Sequence, residues 1–232
     1  MKNTKYQHLF FDLDRTLWDF DRNAGEALME LFDSFEMKPK LGVEVEDFLK
    51  VYWKINNALW QNYRKGKINK EELRSRRFYE TFLKFGYKDE DLGIAFNEKY
   101  VITASSKTNV LDGTFEILEY LKKKYQLHII TNGFVETQNR KLDNCNLRSY
   151  FEEIIISDGL HYKKPDKRIF HHAMKAAKAR SNNSLMIGDD YLTDIIGAKG
   201  VGVDQVYLSD GKAFKNQATF IIYKLQELIG IL

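Results

Sequence analysis

Two carboxylates sit two residues apart in the stretch Phe10-Phe11-Asp12-Leu13-Asp14-Arg15-Thr16-Leu17, at the end of the apolar run Tyr6–Phe11. Alternation along an extended chain sends the Asp12 and Asp14 side chains to the same side. Like charges this close are costly unless a cation or a proton is shared. A hard cation such as Mg2+, which takes oxygen ligands, would remove that cost. A second apolar run ends in Thr131-Asn132-Gly133. A hydroxyl, an amide and a glycine that frees backbone N–H groups suit an oxyanion such as phosphate, although Asn-Gly is also a common turn dipeptide. A third group is Tyr162-Lys163-Lys164-Pro165-Asp166. The residue before proline is held extended, so Lys164 could neutralise a phosphate and a carboxylate together. The fourth, Met186-Ile187-Gly188-Asp189-Asp190-Tyr191-Leu192-Thr193-Asp194-Ile195, follows another apolar run. A loop-to-helix turn could aim Asp189 and Asp194 at one point, while Asp194 also suits the first turn of a helix. Taken singly, each group is equally an ordinary loop, turn or cap.

The elements that must position these residues alternate. Short β-rich runs, Tyr6–Phe11, Leu127–Thr131, Ile154–Ser157, Leu185–Ile187 and Asp204–Leu208, each end before a polar or glycine-rich loop. Helical periodicity follows at Gly113–Lys124, Thr137–Cys145, Lys167–Ala179 and Thr193–Lys199. This spacing argues for βαβ units in an α/β, doubly wound, Rossmann-like parallel sheet with helices on both faces, and the carboxyl ends of such strands form the ligand crevice. From about Arg22 to Ser105 strand signals vanish. Helical patterns take over at Asn23–Phe35, Val45–Tyr63, Lys70–Phe85 and Glu90–Thr103, broken at Met37–Gly42, Gly66 and Gly86. An all-helical insert after the first strand is expected, with the small polar stretch Ala104–Asn109 as a returning hinge. Phe220–Leu232 reads as a last strand and helix.

With 232 residues, 44% hydrophobic and 30% charged, the chain is an ordinary globular one, which excludes collagen-like and disordered classes. A net charge of +3 gives a nucleic-acid polymer little to bind. The single cysteine, Cys145, excludes an intrachain disulfide and cysteine-rich zinc sites and reads as a buried small hydrophobe. No secretory or membrane segment is apparent, so the expected location is cytoplasmic. The five histidines show no ligand spacing and take no role.

The order of the four motifs at strand ends, with a helical insert between the first and second, resembles the haloacid dehalogenase-like (HAD) hydrolase superfamily with a type-one cap. The resemblance spans the whole chain. The runs Asp-Leu-Asp-Arg-Thr-Leu-Trp-Asp-Phe and Ser-Asp-Gly-Leu-His-Tyr-Lys-Lys-Pro-Asp are most similar to the YjjG-type pyrimidine 5′-nucleotidases. The resemblance implies a catalytic core of residues 1–18 and 108–232 and a helical cap of residues 19–107. It implies Asp12 as a nucleophile that forms an aspartyl-phosphate, Asp14 as general acid and then general base, and Thr131 with the Asn132 backbone holding the phosphoryl group. Lys164 would orient Asp12 and phosphate. Mg2+ would be held by Asp12, the Asp14 carbonyl, Asp189 and Asp194, with Asp190 as an alternative to Asp194. The implied reaction is Mg2+-dependent phosphomonoester hydrolysis on a small-molecule substrate, a pyrimidine nucleoside 5′-monophosphate, by a monomer or homodimer. Asp14 argues against dehalogenation, because dehalogenases lack that acid/base group. The alternatives are a sugar-phosphate or phosphoglycolate phosphatase or phosphomutase of the same fold and, in another class, a non-catalytic phosphate-sensing or partner-binding module. Where many relatives carry glycine after the second aspartate this chain has Arg15, which restricts the turn and reads as either solvent-facing or a substrate contact. Trp53, Asn56, Trp60 and Tyr63 share a helical face in the insert, as cap core or as a surface for a base to stack on. Trp18 and Phe20 are expected to pack the connection to the cap.

Overall fold

The computed structural model describes residues 5–211 and 217–232. The chain divides into two compact units, one of Met1–Phe20 with Thr108–Leu232 and one of Asp21–Lys107. In the first, β1 (His8–Phe11), β2 (Gln126–Thr131), β3 (Glu153–Ile156), β4 (Ser184–Gly188), β5 (Asp204–Leu208) and β6 (Phe220–Ile222) form one sheet in the order β3-β2-β1-β4-β5-β6. Every pairing is parallel. β1 lies between β2 and β4, with Phe11 opposite both Ile129 and Ile187. The sheet grows to one side through β2 and β3 and to the other through β4 to β6. This reversal beside β1 opens the crevice used by ligands in such sheets; the first, second and fourth motifs directly follow β1, β2 and β4, and the third lies in the loop between β3 and Lys167.

Alternation along the strands supplies two cores. Leu9, Phe11, Leu127, Ile129, Leu185 and Ile187 pack with Ile117, Leu121, Leu142 and Leu225. On the opposite face Phe10, Ile130 and Met186 pack with Ile169, Phe170, Ala173 and Ala198. The helices concerned are α6 (Thr114–Leu121) and α7 (Val135–Asn144) on the first face, and α8 (Lys167–Ala176) and the short α9 (Gly197–Lys199) on the second. Cys145, the single cysteine, is buried.

One polar pair interrupts the second face. His8 Nδ1 lies 3.2 Å from His128 Nε2, and both rings are buried. Burial pulls the His8 imidazole below its usual value. Burial, followed by the neighbouring His8, pushes His128 down to about 4. Below the ordinary histidine value the unfolded chain therefore takes up protons that the native pair refuses, so stability falls as pH drops through that window. His128 alone should cost about 2 kcal/mol between pH 7 and pH 5. Urea unfolding at both pH values should show a smaller acid loss in His128→Leu than in the parent; equal losses would contradict this account.

The second unit is all-helical apart from its connections: α1 (Phe20–Ser34, its first residue in the other unit), α2 (Met37–Leu41), α3 (Val45–Arg64), α4 (Lys70–Leu83) and α5 (Glu90–Ser106). Asn69 and Glu72 form a reciprocal capping box on α4, and Asp89 caps α5. Phe48, Tyr52, Phe78, Phe82 and Phe96 form its centre, Phe78 and Phe96 having ring centroids 4.7 Å apart. Two expectations need correction. The Met37–Gly42 break contains the turn of helix α2 and ends at Gly42 with φ 68°. The small polar stretch Ala104–Asn109 is helical as far as Ser106, because Ser105 and Ser106 hydroxyls donate to the carbonyls of Val101 and Ile102 and so remain compatible with a helix. Of the aromatic face on α3, Asn56 and Tyr63 are buried and Trp53 and Trp60 half-buried, so most of it is core. Among the described residues no helix is long and apolar enough to cross a membrane.

Candidate active site

Asp12 follows β1 directly and extends the ladder by donating its N–H to Ile187 O at 2.9 Å. The chain then folds into a tight turn in which the N–H groups of Thr16, Leu17 and Trp18 converge on Leu13 O. Arg15 takes a left-handed φ of 61° in this turn, a conformation that costs a non-glycine residue about 1–2 kcal/mol. Its guanidinium lies 4.3 Å from the Phe20 ring centroid and its charge also acts on Asp189. Arg15 is therefore not simply solvent-facing. Trp18 is buried in the core of this unit and Phe20 packs on it.

Lys164 is 1% exposed and carries its ammonium between two carboxylates, 2.6 Å from Asp12 Oδ1 and 2.7 Å from Asp194 Oδ1. The Lys164–Pro165 peptide is cis. The Asn132 side chain holds that backbone from both directions: Nδ2 donates to Lys164 O and Oδ1 accepts from Lys164 N–H, each at 2.9 Å. The second and third motifs are thus bolted together through Asn132, which leaves its backbone as the part available to a ligand.

The fourth motif enters through β4. Asp194 lies in the π-helical segment Tyr191–Ile196 that follows it, a wide turn often found at functional sites. Asp194 is fully buried and packs on Gly188 so closely that a Cβ there would collide with its carboxylate. Asp190 does a different job. Its Oδ1 accepts from the N–H groups of Leu192 and Thr193, both at 3.0 Å, and caps the segment. It is outside the carboxylate cluster, whose members Asp12, Asp189 and Asp194 bring oxygens within 4.8 Å of one another. Asp190 is thus the cap, while the first-turn Asp194 points into the cluster.

Burial, only partly opposed by Lys164 and reinforced by Asp194 and Asp14, pushes the Asp12 carboxyl up to about 7. Asp189 is driven far above the usual carboxylate range by burial and by Asp12 and Asp194. Asp194 is raised by burial against the pull of Lys164. Burial disfavours the Lys164 charge, but Asp12 and Asp194 outweigh it and hold the ammonium firmly protonated. Three crowded carboxylates with one cation remain short of positive charge. An all-oxygen donor set of that kind fits a divalent ion such as Mg2+, so the residues present match the cofactor the motifs imply.

Asp14 lies outside that cluster. Lys141 Nζ meets its Oδ1 at 2.5 Å, and Gln138 Nε2 donates to its Oδ2 at 2.9 Å. Gln138 Nε2 also donates to Thr131 Oγ1 at 2.7 Å, which receives Gly133 N–H at 3.3 Å as well. Gly133 is fixed by space rather than by backbone conformation, since a Cβ there would collide with Gln138. Neither Gln138 nor Lys141 stands out in the motifs. Their signal is polarity on a helix face: they fall on the core-facing side of α7 with Leu142, in line with the flanking Phe134 and Cys145, where apolar residues belong.

The profile of the haloacid dehalogenase-like hydrolases matches residues 6–202. The chain belongs to that family and is a hydrolase. It is 30% identical to the pyrimidine 5′-nucleotidase PynA of Streptococcus pneumoniae over 98% of this chain and 95% of that one. It is also 30% identical to the pyrimidine 5′-nucleotidase YjjG of Escherichia coli over 88% and 87% of the two chains. The fold superposes with a TM-score of 0.88 on the crystal structure of the HAD-hydrolase YfnB from Bacillus subtilis, 29% identical, covering 98% of this chain and 99% of that one. That structure is bound to magnesium and reveals interdomain movement.

Proposed function

We propose that this hydrolase is a Mg2+-dependent phosphomonoesterase acting on pyrimidine nucleoside 5′-monophosphates. The observation that carries the reading is a buried nucleophile candidate, Asp12, paired with Lys164 beside two further carboxylates, with a second aspartate, Asp14, tethered nearby. Dehalogenation needs no such second carboxylate; ester hydrolysis does, because an alkoxide must leave and a water must be activated.

In this reading Asp12 attacks phosphorus and the ester oxygen departs with a proton from Asp14. Asp14 then takes a proton from water, which attacks the aspartyl-phosphate and releases inorganic phosphate and free Asp12. Lys164 holds Asp12 in line and offsets the repulsion between an anionic nucleophile and an anionic ester. Thr131 Oγ1, already accepting from Gln138 and Gly133, keeps its O–H to donate to the phosphoryl oxygens, alongside the Asn132 backbone. Asp12, the Asp14 carbonyl, Asp189 and Asp194 would hold Mg2+, which when bound supplies positive charge toward the transferring phosphoryl group. The helical unit Asp21–Lys107 acts as the cap that selects the substrate and excludes water.

A panel of phosphate esters tests this. With Mg2+, turnover should favour UMP, dUMP and their analogues over purine nucleotides and sugar phosphates, and EDTA should abolish it. A preference for sugar phosphates or phosphoglycolate would overturn the nucleotidase reading while leaving the phosphatase one in place. No turnover of any ester, with fold and Mg2+ binding intact, would favour a phosphate-sensing module.

A further inference from the structure

We infer that Gln138 and Lys141 are positioning residues that set the Asp14 carboxylate and the Thr131 hydroxyl as one unit, an inference that rests on the phosphatase reading above. Each Asp14 oxygen has its own donor: Oδ1 the Lys141 ammonium and Oδ2 the Gln138 amide. Two bonds from two different residues fix both the position and the plane of the carboxylate. Gln138 also reaches Thr131 Oγ1, so one amide nitrogen spaces the proton-transfer group from the phosphoryl-binding group.

The cost of this arrangement shows that it is not ordinary core packing. Gln138 is completely buried, and its Oε1 has no hydrogen-bond partner among the described residues. A buried carbonyl left without a hydrogen bond forfeits its solvation and destabilises the fold. Turning the amide round would give up both Nε2 bonds, to Asp14 Oδ2 and to Thr131 Oγ1. Lys141 is nearly as enclosed, its ammonium 4.1 Å from the Trp18 ring centroid. The aromatic face holds the cation without competing for its hydrogen bonds, and its carboxylate partner is Asp14. A helix face that folding would fill with leucine instead carries two polar side chains aimed at Asp14.

The two chemical steps use Asp14 differently, which separates positioning from general damage. With 4-nitrophenyl phosphate the leaving group is a weak base and departs without a proton, so the first step tolerates a displaced Asp14. The second step still needs Asp14 to take a proton from water. Single-turnover nitrophenolate release with enzyme in excess reports the first step, and steady-state kcat includes the second. In Lys141→Met, at saturating Mg2+, the single-turnover rate should stay within about threefold of the parent while kcat falls about tenfold or more. With UMP, whose leaving alkoxide needs the proton, both rates should fall. Gln138→Leu should behave likewise and also raise KM through Thr131, and Lys141→Arg should recover most of the lost kcat. Asp14→Asn gives the reference pattern. If single-turnover and steady-state rates on 4-nitrophenyl phosphate fall in parallel, or if neither changes, the inference is overturned. Full activity of Asp12→Asn would instead remove the aspartyl-phosphate mechanism beneath it, and no turnover of any ester by the parent would remove the phosphatase reading itself.

Discussion

Replacing Lys164 by alanine is expected to lower stability and to stop catalysis together. The parent ammonium sits 2.6 Å and 2.7 Å from two buried carboxylates. Removing one partner of a buried ion pair costs about 3–5 kcal/mol, because the charge left behind has no compensation. Here two carboxylates lose their partner, so the variant relieves the repulsion by binding protons. Lys164 draws both Asp12 and Asp194 downward; without it both carboxyls rise further above their unfolded values. A carboxyl raised on folding adds stability only below its folded value and loses it as pH rises through that value. The deficit of Lys164→Ala against the parent should therefore be larger at pH 8 than at pH 5 in denaturant titrations without added metal. A deficit independent of pH would mean that the carboxylates are not held by this lysine. Activity should fall at both pH values, since the attacking oxygen and the phosphoryl group would lose their shared cation.

Gly188→Ala is expected to have the second largest effect, through one methyl group. A Cβ at this position overlaps the Asp194 carboxylate, and buried overpacking costs about 1–3 kcal/mol. Asp194 has little room to yield, because it also accepts the Asp190 N–H at 3.1 Å and the Lys164 ammonium. The expected result is a modest drop in thermal stability with a rise of about tenfold or more in the Mg2+ concentration needed for half-maximal activity, as one member of the oxygen cluster is pushed out of place. An unchanged Mg2+ requirement in a folded Gly188→Ala protein would show that Asp194 does not serve the ion.

Much of this arrangement is legible in the residues themselves. The strands announce themselves as apolar runs covered on both faces, and the polar residues that follow them must lie on one edge of a parallel sheet. That reasoning reaches Asp12, Thr131, Lys164, Asp189 and Asp194 without coordinates. It does not distinguish Asp190 from Asp194, because capping depends on the backbone path after Gly188, which is a wide π-helical turn rather than a regular helix. It misses the second role of Asn132, since a two-way bond to the Lys164 backbone joins residues 32 apart in sequence. It misses Gln138 and Lys141 for a related reason: a polar side chain on a helix looks solvated until the fold shows that its face is inside. The Gly133 and Gly188 requirements are likewise invisible locally, because each is imposed by a side chain five or six positions further on. The extra turn α2 and the helical Ser105–Ser106 are short-range effects that glycine and small polar residues hide.

The central claim is that Asp12 carries the phosphoryl group between the two steps. It is tested most directly by peptide mass spectrometry of the Mg2+-loaded protein, acid-quenched during turnover of 4-nitrophenyl phosphate. The account predicts a phosphoryl adduct on the peptide containing Asp12 and none in Asp12→Asn. Turnover with the phosphoryl group on another residue, or undiminished turnover by Asp12→Asn with no adduct at all, would contradict it.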